Sequence, residues 1–190
     1  MRIVIARHRR ARRYVVRVRP DGGVRLTIPR GASVGGGLAF VRRQASWIAR
    51  ERARLDELAA SWMPGSTVWF QGERVVVTGG GFQDRVRTLA ERDLPARGLE
   101  LARQCGVAVT GIAVRDQRSR WGACSRRRAI TLNWRLAQMP ASVRDYVILH
   151  ELMHVRQPNH SRSFWREVES VCPGWRDAER WLRRHGREIL

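Results

Sequence analysis

The sequence predicts an α+β protein, with a β-rich amino-terminal part and a carboxy-terminal part built around helices. Short runs of alternating apolar and polar residues, separated by Gly-rich turns, fill much of the first part, and this pattern is typical of β-hairpins. In the second part, apolar residues recur at spacings of three and four, as on one face of an α-helix. A length of 190 residues suits one domain, or one domain with a small accessory lobe. We therefore expect residues 1–80 and residues 81–190 to form two parts that share one core.

The amino-terminal part is expected to contain two hairpins and one long helix. Residues 13–20 and 24–29 alternate on either side of an Asp-Gly-Gly turn, which predicts the first hairpin. Apolar residues spaced by three, four and seven predict a helix from Leu38 to about Ala60. A second hairpin is predicted around residues 71–72, before a run of three glycines closes this part.

The carboxy-terminal part is expected to contain several helices and two short strands. Residues 84–105 predict a helix with a break near Pro95. Residues 111–116 and 129–134 predict strands, and we take the second as an exposed sheet edge. The chain is predicted to finish with three helices, which begin near Val143, Ser163 and Asp177.

The charge of the chain is strongly positive. Its formal net charge is +20, and all 37 basic residues are arginines. Such a surplus attracts polyanions, so we expect nonspecific association with nucleic acid or nucleotides through an Arg-rich surface. An arginine-biased composition would explain the absence of lysine but not the excess over 17 acidic residues.

The cysteines and the apolar runs indicate a cytoplasmic protein with no membrane association. Cys105, Cys124 and Cys172 are odd in number and widely spaced, which excludes a disulfide framework and a cysteine-rich zinc site. The apolar run near the start is too short for a signal-peptide core. No segment approaches the length of a membrane span.

One segment carries metal-site chemistry. His150, Glu151, His154 and His160 lie within eleven residues, and they include three of the five histidines. Residues four apart share one face of a helix, so His150 and His154 can bind one ion. His160 becomes the third ligand if the chain turns back after the helix, which Pro158 favours. Three protein ligands with one open position are typical of catalytic zinc, so we predict one Zn²⁺ per chain.

The predicted helix around this segment is apolar nearly all round, as a buried core helix is. Ser142 and Asp145 resemble a capping box at its start. Histidines inside such a helix are costly to bury unless they have partners. The alternatives are histidines satisfied by hydrogen bonds, or a metal that serves only stability.

Several segments around the metal motif carry a resemblance to a known family: Arg120–Ser125, Ile130–Leu136, Asp145–Val147, Asn159–Ser161 and Phe164–Trp165. Residues 40–41, 47–48 and 64–65 belong with them. In these segments the chain resembles the YgjP-like metallopeptidase family, whose members are relatives of the SprT-like zinc peptidases. The resemblance implies a zincin-like helical core beside a small sheet, a single zinc and a hydrolytic role. By position, it makes His150, His154 and His160 the ligands and Glu151 the general base. Ala123 stands where the family commonly has Ser.

The ligand spacing also equals that of metzincins. Those proteins have Gly at the position of Gln157, and they have a Met after the motif, whereas Met153 is the last methionine here. The metzincin assignment is therefore disfavoured.

Three further polar residues are candidates for the substrate side of the site: Arg120, Asn133 and Tyr146. Arg120 would bind an anion or stabilise a developing oxyanion, or else pair with a structural carboxylate. Tyr146 lies one turn before His150, where it would donate to the transition state or only pack.

The predicted activity is a zinc-dependent metallopeptidase that acts on a peptide or protein substrate. Zinc lowers the pKa of its water, and Glu151 accepts the proton during attack on the carbonyl. One alternative is hydrolysis of a nucleoside triphosphate at the same site, with arginines holding the phosphates. Others are a nucleic-acid-associated SprT-like protease and a noncatalytic polyanion-binding module with structural zinc. An intact Glu151 argues against the last, because a structural site needs no base.

Overall fold

A computed structural model describes residues 2–19 and 21–190, apart from the side chain of Leu58. Pro20, at the end of the first predicted strand, lies outside the described residues. The chain divides into two compact units, residues 1–63 and residues 64–190. The architecture is mixed α+β, with a β-rich amino-terminal part and helices in the carboxy-terminal half. Within the described residues, every helix is too short or too polar to cross a membrane.

The first unit is a three-stranded sheet covered on one face by helices. Its elements are β1 (Ile3–His8), β2 (Val15–Val18), β3 (Val24–Pro29), α1 (Val34–Arg43) and α2 (Ala45–Ala60). The sheet order is β1-β3-β2, with β1 parallel and β2 antiparallel to β3. Alternate residues of β3 point to the helices, and Val24, Leu26 and Ile28 are fully buried there. The predicted first hairpin is confirmed by the β2–β3 pairing.

Two features of the first unit differ from the sequence-based expectation. The predicted helix from Leu38 to Ala60 is wrong as a single element, because Gln44 separates α1 from α2. Ser33 caps α1 by accepting a hydrogen bond from the Gly36 amide, so α1 begins before Leu38. Strand β1 was not expected, since its short apolar run lacks clear alternation.

The second unit begins with the predicted second hairpin and then alternates helices with a small sheet. Its elements are β4 (Thr67–Phe70), β5 (Glu73–Val76), α3 (Phe82–Gln104), β6 (Gly111–Arg115), β7 (Gly122–Cys124), β8 (Ala129–Asn133), a 3₁₀ helix (Trp134–Gln138), α4 (Ala141–Met153), α5 (Arg162–Val171) and α6 (Trp175–Ile189). Helix α3 continues through Pro95 without interruption. The three final helices begin within two residues of their predicted starts.

The three-stranded sheet of this unit places β8 in the middle. Its order is β6-β8-β7, with β6 parallel and β7 antiparallel to β8. The expectation that residues 129–134 form an edge is therefore wrong. Strand β7, which the sequence did not predict, occupies an edge. Ile130 and Leu132 of β8 are fully buried, as expected for a central strand.

The start of α4 is fixed by neighbouring elements and not by a capping box. The N-cap is Pro140, and no side chain caps the helix, so Ser142 lies inside it and the predicted capping box is wrong. The Asp145 carboxylate instead accepts hydrogen bonds from Arg97 of α3 and from Arg144. A guanidinium attracts this carboxylate more strongly than a neutral amide does. The ion pair ties α4 to α3.

The turn of the second hairpin also approaches the start of α4. Gln71 and Gly72 both have positive φ, as a type I′ hairpin turn requires. A Cβ at Gly72 would lie 2.8 Å from the Cα of Pro140. The Gly72 amide donates to the carbonyl of Gln138, so this turn holds the segment that leads into α4.

Candidate active site

Helix α4 carries the first two candidate groups at its carboxyl end. It packs against α3, α5, α6 and β7, and its buried residues lie on nearly all sides, as the sequence predicted. His150 and Glu151 lie in the last turn, and His154 is the C-cap residue. The end of a buried helix therefore presents His150, Glu151 and His154 together.

His160 reaches the same place through a turn and the start of α5. The Asn159 side chain accepts a hydrogen bond from the Ser161 amide. Ser161 is the N-cap of α5, and its hydroxyl accepts from the Phe164 amide. These two local bonds hold the residues on either side of His160, and they fix the direction in which the chain returns toward α4.

The three imidazoles converge. One nitrogen from each of His150, His154 and His160 lies within 4.8 Å of the others. The Nε2 atoms of His150 and His160 are 3.0 Å apart. Two ligands of one tetrahedral zinc have nitrogens roughly 3.3 Å apart, given a metal–nitrogen distance of about 2.0–2.1 Å. The spacing of this group therefore suits a metal ion.

The protonation states of His150 and His154 also suit a metal. Burial lowers the pKa of His150 to about 4, helped by His154 and His160. Burial likewise lowers the pKa of His154, although the hydrogen bond to the Gln157 carbonyl acts to raise it. That carbonyl accepts from Nδ1 of His154 at 3.0 Å, which leaves Nε2 of His154 unprotonated. Neutral imidazoles are the form that binds metals, and the hydrogen bond to Gln157 also fixes the orientation of the His154 ring.

Glu151 is enclosed between α4 and β7. Its exposed fraction is 8%, and burial raises its pKa to about 7. The positive charge of Arg120 and a hydrogen bond from the Cys124 amide act in the opposite direction. Strand β7 pairs with β8 along one edge. The Cys124 amide lies on the opposite edge and points to Glu151, so that edge of β7 faces the site.

Gly122 makes this arrangement possible. A Cβ at position 122 would lie 2.5 Å from Cγ and 2.8 Å from Oε1 of Glu151. Sequence reasoning did not assign a role to Gly122 or to the Cys124 amide. The only signal was their place in the segment Arg120–Ser125 that resembles the metallopeptidase family.

An aromatic wall supports the histidines from the side of α5. Phe164 is fully buried, and its ring centroid lies 4.5–4.9 Å from those of all three imidazoles. Trp165 lies 5.9 Å from His150 and 6.0 Å from His160, and it stacks on Trp175 at 4.5 Å. Packing of this kind restricts ring rotation. The sequence did not reveal this role of Phe164.

The three candidate substrate-side residues have different environments. Arg120 is exposed and close enough to Glu151 to lower its pKa. Tyr146 is buried, with its ring 5.9 Å from that of His150, and burial raises its pKa to about 12. It is therefore a neutral phenol packed beside a candidate ligand.

Asn133 is fully buried, and its hydrogen bonds are internal. Its Nδ2 donates to the carbonyls of Gln117 and Arg120 at 2.7 and 3.0 Å. Its Oδ1 accepts from the Arg135 amide. The side chain therefore holds the segment 117–120, which carries Arg120, in place.

Comparison with known proteins identifies the family. The family model for the YgjP-like, metallopeptidase domain matches residues 78–185. The chain belongs to the YgjP-like metallopeptidase family. The matched range contains the three histidines, Glu151, Gly122 and Phe164. Membership supports a metallopeptidase, and so a hydrolase that uses a metal, and the histidine group is able to hold that metal.

A solved structure is also similar to this YgjP-like protein. It is the crystal structure of the metallopeptidase zymogen of Pyrococcus abyssi abylysin, at 24% identity and a TM-score of 0.44. The similarity covers 51% of this chain and 99% of that one. No curated protein matches the chain.

Proposed function

We propose that the protein is a zinc-dependent metallopeptidase with a zincin-like centre, which hydrolyses peptide bonds in a peptide or protein substrate. The observation that carries this proposal is the convergence of three imidazoles beside one buried carboxylate. In this proposal His150, His154 and His160 hold the metal. All three are nitrogen ligands, and this donor set fits zinc and leaves a coordination position open.

A zinc ion bound there would polarise the substrate carbonyl and make a water molecule more acidic. Glu151 is the general base in this scheme. Its pKa of about 7 is near the value at which a base both accepts and returns a proton efficiently at neutral pH. The hydrogen bond from the Cys124 amide holds the carboxylate in one orientation.

Glu151 transfers a proton from the attacking water to the leaving group. Glu151 takes a proton from the attacking water as the water oxygen bonds to the carbonyl carbon. It then delivers that proton to the amide nitrogen as the C–N bond breaks, so the products are an amine and a carboxylic acid, and the acid loses its proton to solvent at neutral pH. Arg120 supplies positive charge beside Glu151, where it can stabilise the oxyanion that forms during attack.

In the described residues no strand pairs with the edge of β7 that faces away from β8, and we take this edge, whose Cys124 amide already binds Glu151, as the place for the substrate backbone. Since residues of an antiparallel strand face alternate sides, Gly122 directs its backbone groups the same way as Cys124, away from β8. An extended peptide would add to this edge as a further strand. This proposal replaces residues 129–134 as the docking edge, because β8 is central.

The test compares wild type with Glu151→Gln, which keeps the shape of the side chain but cannot accept a proton at neutral pH. Each is incubated with unstructured proteins and, separately, with nucleoside triphosphates. Mass spectrometry reports peptide products, and a phosphate assay reports nucleotide hydrolysis. We expect proteolysis that falls by about two to four orders of magnitude in Glu151→Gln, with the metal content unchanged.

The alternative activity predicts the opposite result from the same experiment. Phosphate release that depends on Glu151, without peptide cleavage, would assign the site to phosphoanhydride hydrolysis. Peptide cleavage that survives in Glu151→Gln would remove that residue from the mechanism.

A further inference from the structure

The first unit carries a large excess of positive charge. Residues 1–63 contain 15 arginines and four acidic residues. In the described part of this unit, ion pairs join Arg19 to Asp21 and Arg54 to Glu51. Most of its arginines therefore lack a carboxylate partner among the described residues, and their field favours a polyanion.

Four of these arginines lie in the segment that connects β1 to β2. They are all exposed, and none forms an ion pair within the described residues: Arg9, Arg10, Arg12 and Arg13. A second concentration lies on the sheet, where Arg17 of β2 faces Arg25 of β3 in the antiparallel register. Like charges directly opposite each other are destabilising, and a bound anion would relieve that repulsion.

An aromatic groove lies beside the connecting segment. It has a volume of about 440 Å³, and its lining includes Arg13, Tyr14, Phe40 and Trp47. The Tyr14 and Phe40 rings stack at 6.0 Å with an interplanar angle of 25°. The Tyr14 hydroxyl donates to the Ser33 carbonyl, so this ring is held in place.

Part of the aromatic surface of the groove is exposed to solvent. Trp47 is 39% exposed, which is unusual for a large apolar side chain on a helix that packs against a sheet. The Arg43 guanidinium lies 6.0 Å from the centre of the Phe40 ring. Arginines therefore lie beside the aromatic rings of the groove.

We propose that this surface, formed by the aromatic groove and residues 9–13, binds single-stranded nucleic acid. Bases would stack on Trp47 and the neighbouring rings, while the arginines neutralise phosphates. Proteins that bind single strands without sequence preference combine aromatic side chains, on which the bases stack, with a positively charged groove that follows the backbone. The inference does not depend on the peptidase proposal, because it concerns residues outside 78–185.

The groove favours a single strand over a duplex. In a duplex the bases are already stacked on each other, so they have no face to offer Trp47. A duplex would use only the charge of residues 9–13, and charge alone favours the duplex, because its phosphates are more closely spaced along the axis. Tighter binding of a single strand than of a duplex therefore distinguishes binding in the groove from nonspecific attraction by the positive charge of the protein.

The experiment measures fluorescence anisotropy of a labelled 20-nucleotide thymidine strand with the full-length protein at several salt concentrations. A duplex of the same length and phosphatidylserine vesicles are measured in parallel. We expect the single strand to bind most tightly. Arg12→Gln/Arg13→Gln should weaken binding by about tenfold and reduce the salt slope by about 1.4, the value for two lost phosphate contacts.

A matched pair of variants separates the site from net charge. Arg126→Gln/Arg127→Gln removes the same charge from two exposed residues of the second unit, and it should change affinity by less than about twofold if the site is local. Trp47→Leu keeps an apolar, helix-compatible side chain without a π-face, and it should weaken binding by about fivefold or more. Trp47→Phe should retain most of the affinity.

Three results would overturn the inference. The first is a duplex that binds as tightly as the single strand. The second is equal loss in the two arginine pairs together with unchanged binding in Trp47→Leu. The third is binding to vesicles without binding to the oligonucleotide, which would assign the surface to a membrane. Circular dichroism of each variant establishes that it is folded, and the comparison of single strand with duplex decides the question even if a Trp47 variant unfolds.

Discussion

A Cβ at Gly122 would lie 2.5 Å from Cγ of Glu151, so the Glu151 side chain packs directly on the backbone of β7 and leaves no room for a side chain at position 122. The same strand donates the Cys124 amide to the Glu151 carboxylate. The position of the candidate general base therefore depends on a three-residue strand as well as on its own helix.

Gly122→Ala tests this relationship. The added methyl group must displace either Glu151 or β7, because real Cβ contacts are essentially never closer than 3.0 Å. A displacement of about 1 Å in a catalytic group costs roughly a hundredfold in rate. We expect a loss of peptidase activity of that order, with zinc content unchanged by elemental analysis.

Gly111→Ala is the matched control, since it adds the same methyl group to the same sheet. Nothing lies within 4 Å of a Cβ at that position, so activity should stay near the wild-type value. Full activity in Gly122→Ala would show that the close approach does not set the position of the base.

The histidine group predicts one metal ion per chain. Replacing His150, His154 or His160 with Ala should abolish stoichiometric zinc, because each removes one of three protein ligands. His8→Ala should retain the metal, since His8 lies on an exposed strand end of the first unit. Elemental analysis after dialysis measures this, and full zinc retention in His160→Ala would exclude it as a ligand.

Chelation should also reduce thermal stability. A ligand that binds only the folded state stabilises it by about 2.7 kcal/mol when its concentration is 100 times its Kd. Wild type should therefore unfold at a lower temperature after chelation, while the three histidine variants should not respond. A chelator that shifts the melting of His154→Ala as much as that of wild type would contradict the proposed site.

Phe164 is expected to set the affinity of the metal site through packing. Its ring contacts all three imidazoles, so Phe164→Leu should loosen them and weaken zinc binding by about tenfold or more. Val168→Ala is the control, because Val168 is also fully buried on α5. Shortening its side chain should likewise lower the stability of the fold. Competition with a chromogenic chelator measures both affinities, and equal affinities would show that Phe164 serves stability alone.

The sequence contained enough information for the helix that carries the metal motif, but not for the strand beside it. The spacing of His150 and His154 follows from helical periodicity alone, and the structure brings both to His160. Strand β7 has only three residues, which is too short for a periodic signal. Its importance arises from contact with Glu151, and Glu151 lies 27 to 29 residues further along the chain.

The position of β8 in its sheet and the capping of α4 were the other features that short sequence patterns did not determine. Residues 129–134 have the composition of a strand, yet the composition does not say whether neighbours pair on one side or on both. Asp145 has the spacing of a capping box, but Arg97 of a different helix binds its carboxylate. In both cases a partner distant in sequence decides the outcome.

The sequence predicted Asn133 as a substrate-side residue, whereas its hydrogen bonds in the structure are to the backbone of the segment that carries Arg120. If Asn133 acts only by positioning Arg120, its effect on activity must pass through that arginine. Asn133→Ala leaves two carbonyls without their donor, which should cost about 1–3 kcal/mol of stability. Activity is therefore compared at a temperature where every variant is folded.

A double-mutant cycle separates positioning from direct contact. Arg120→Gln should lower kcat/KM for peptide cleavage by about tenfold or more, since it removes positive charge near the developing oxyanion. Asn133→Ala should also lower kcat/KM in the wild-type background. In the Arg120→Gln background it should have almost no further effect, because residues that act through one another are not additive. Effects that multiply in the double variant would mean that Asn133 acts independently of Arg120, as the sequence first suggested.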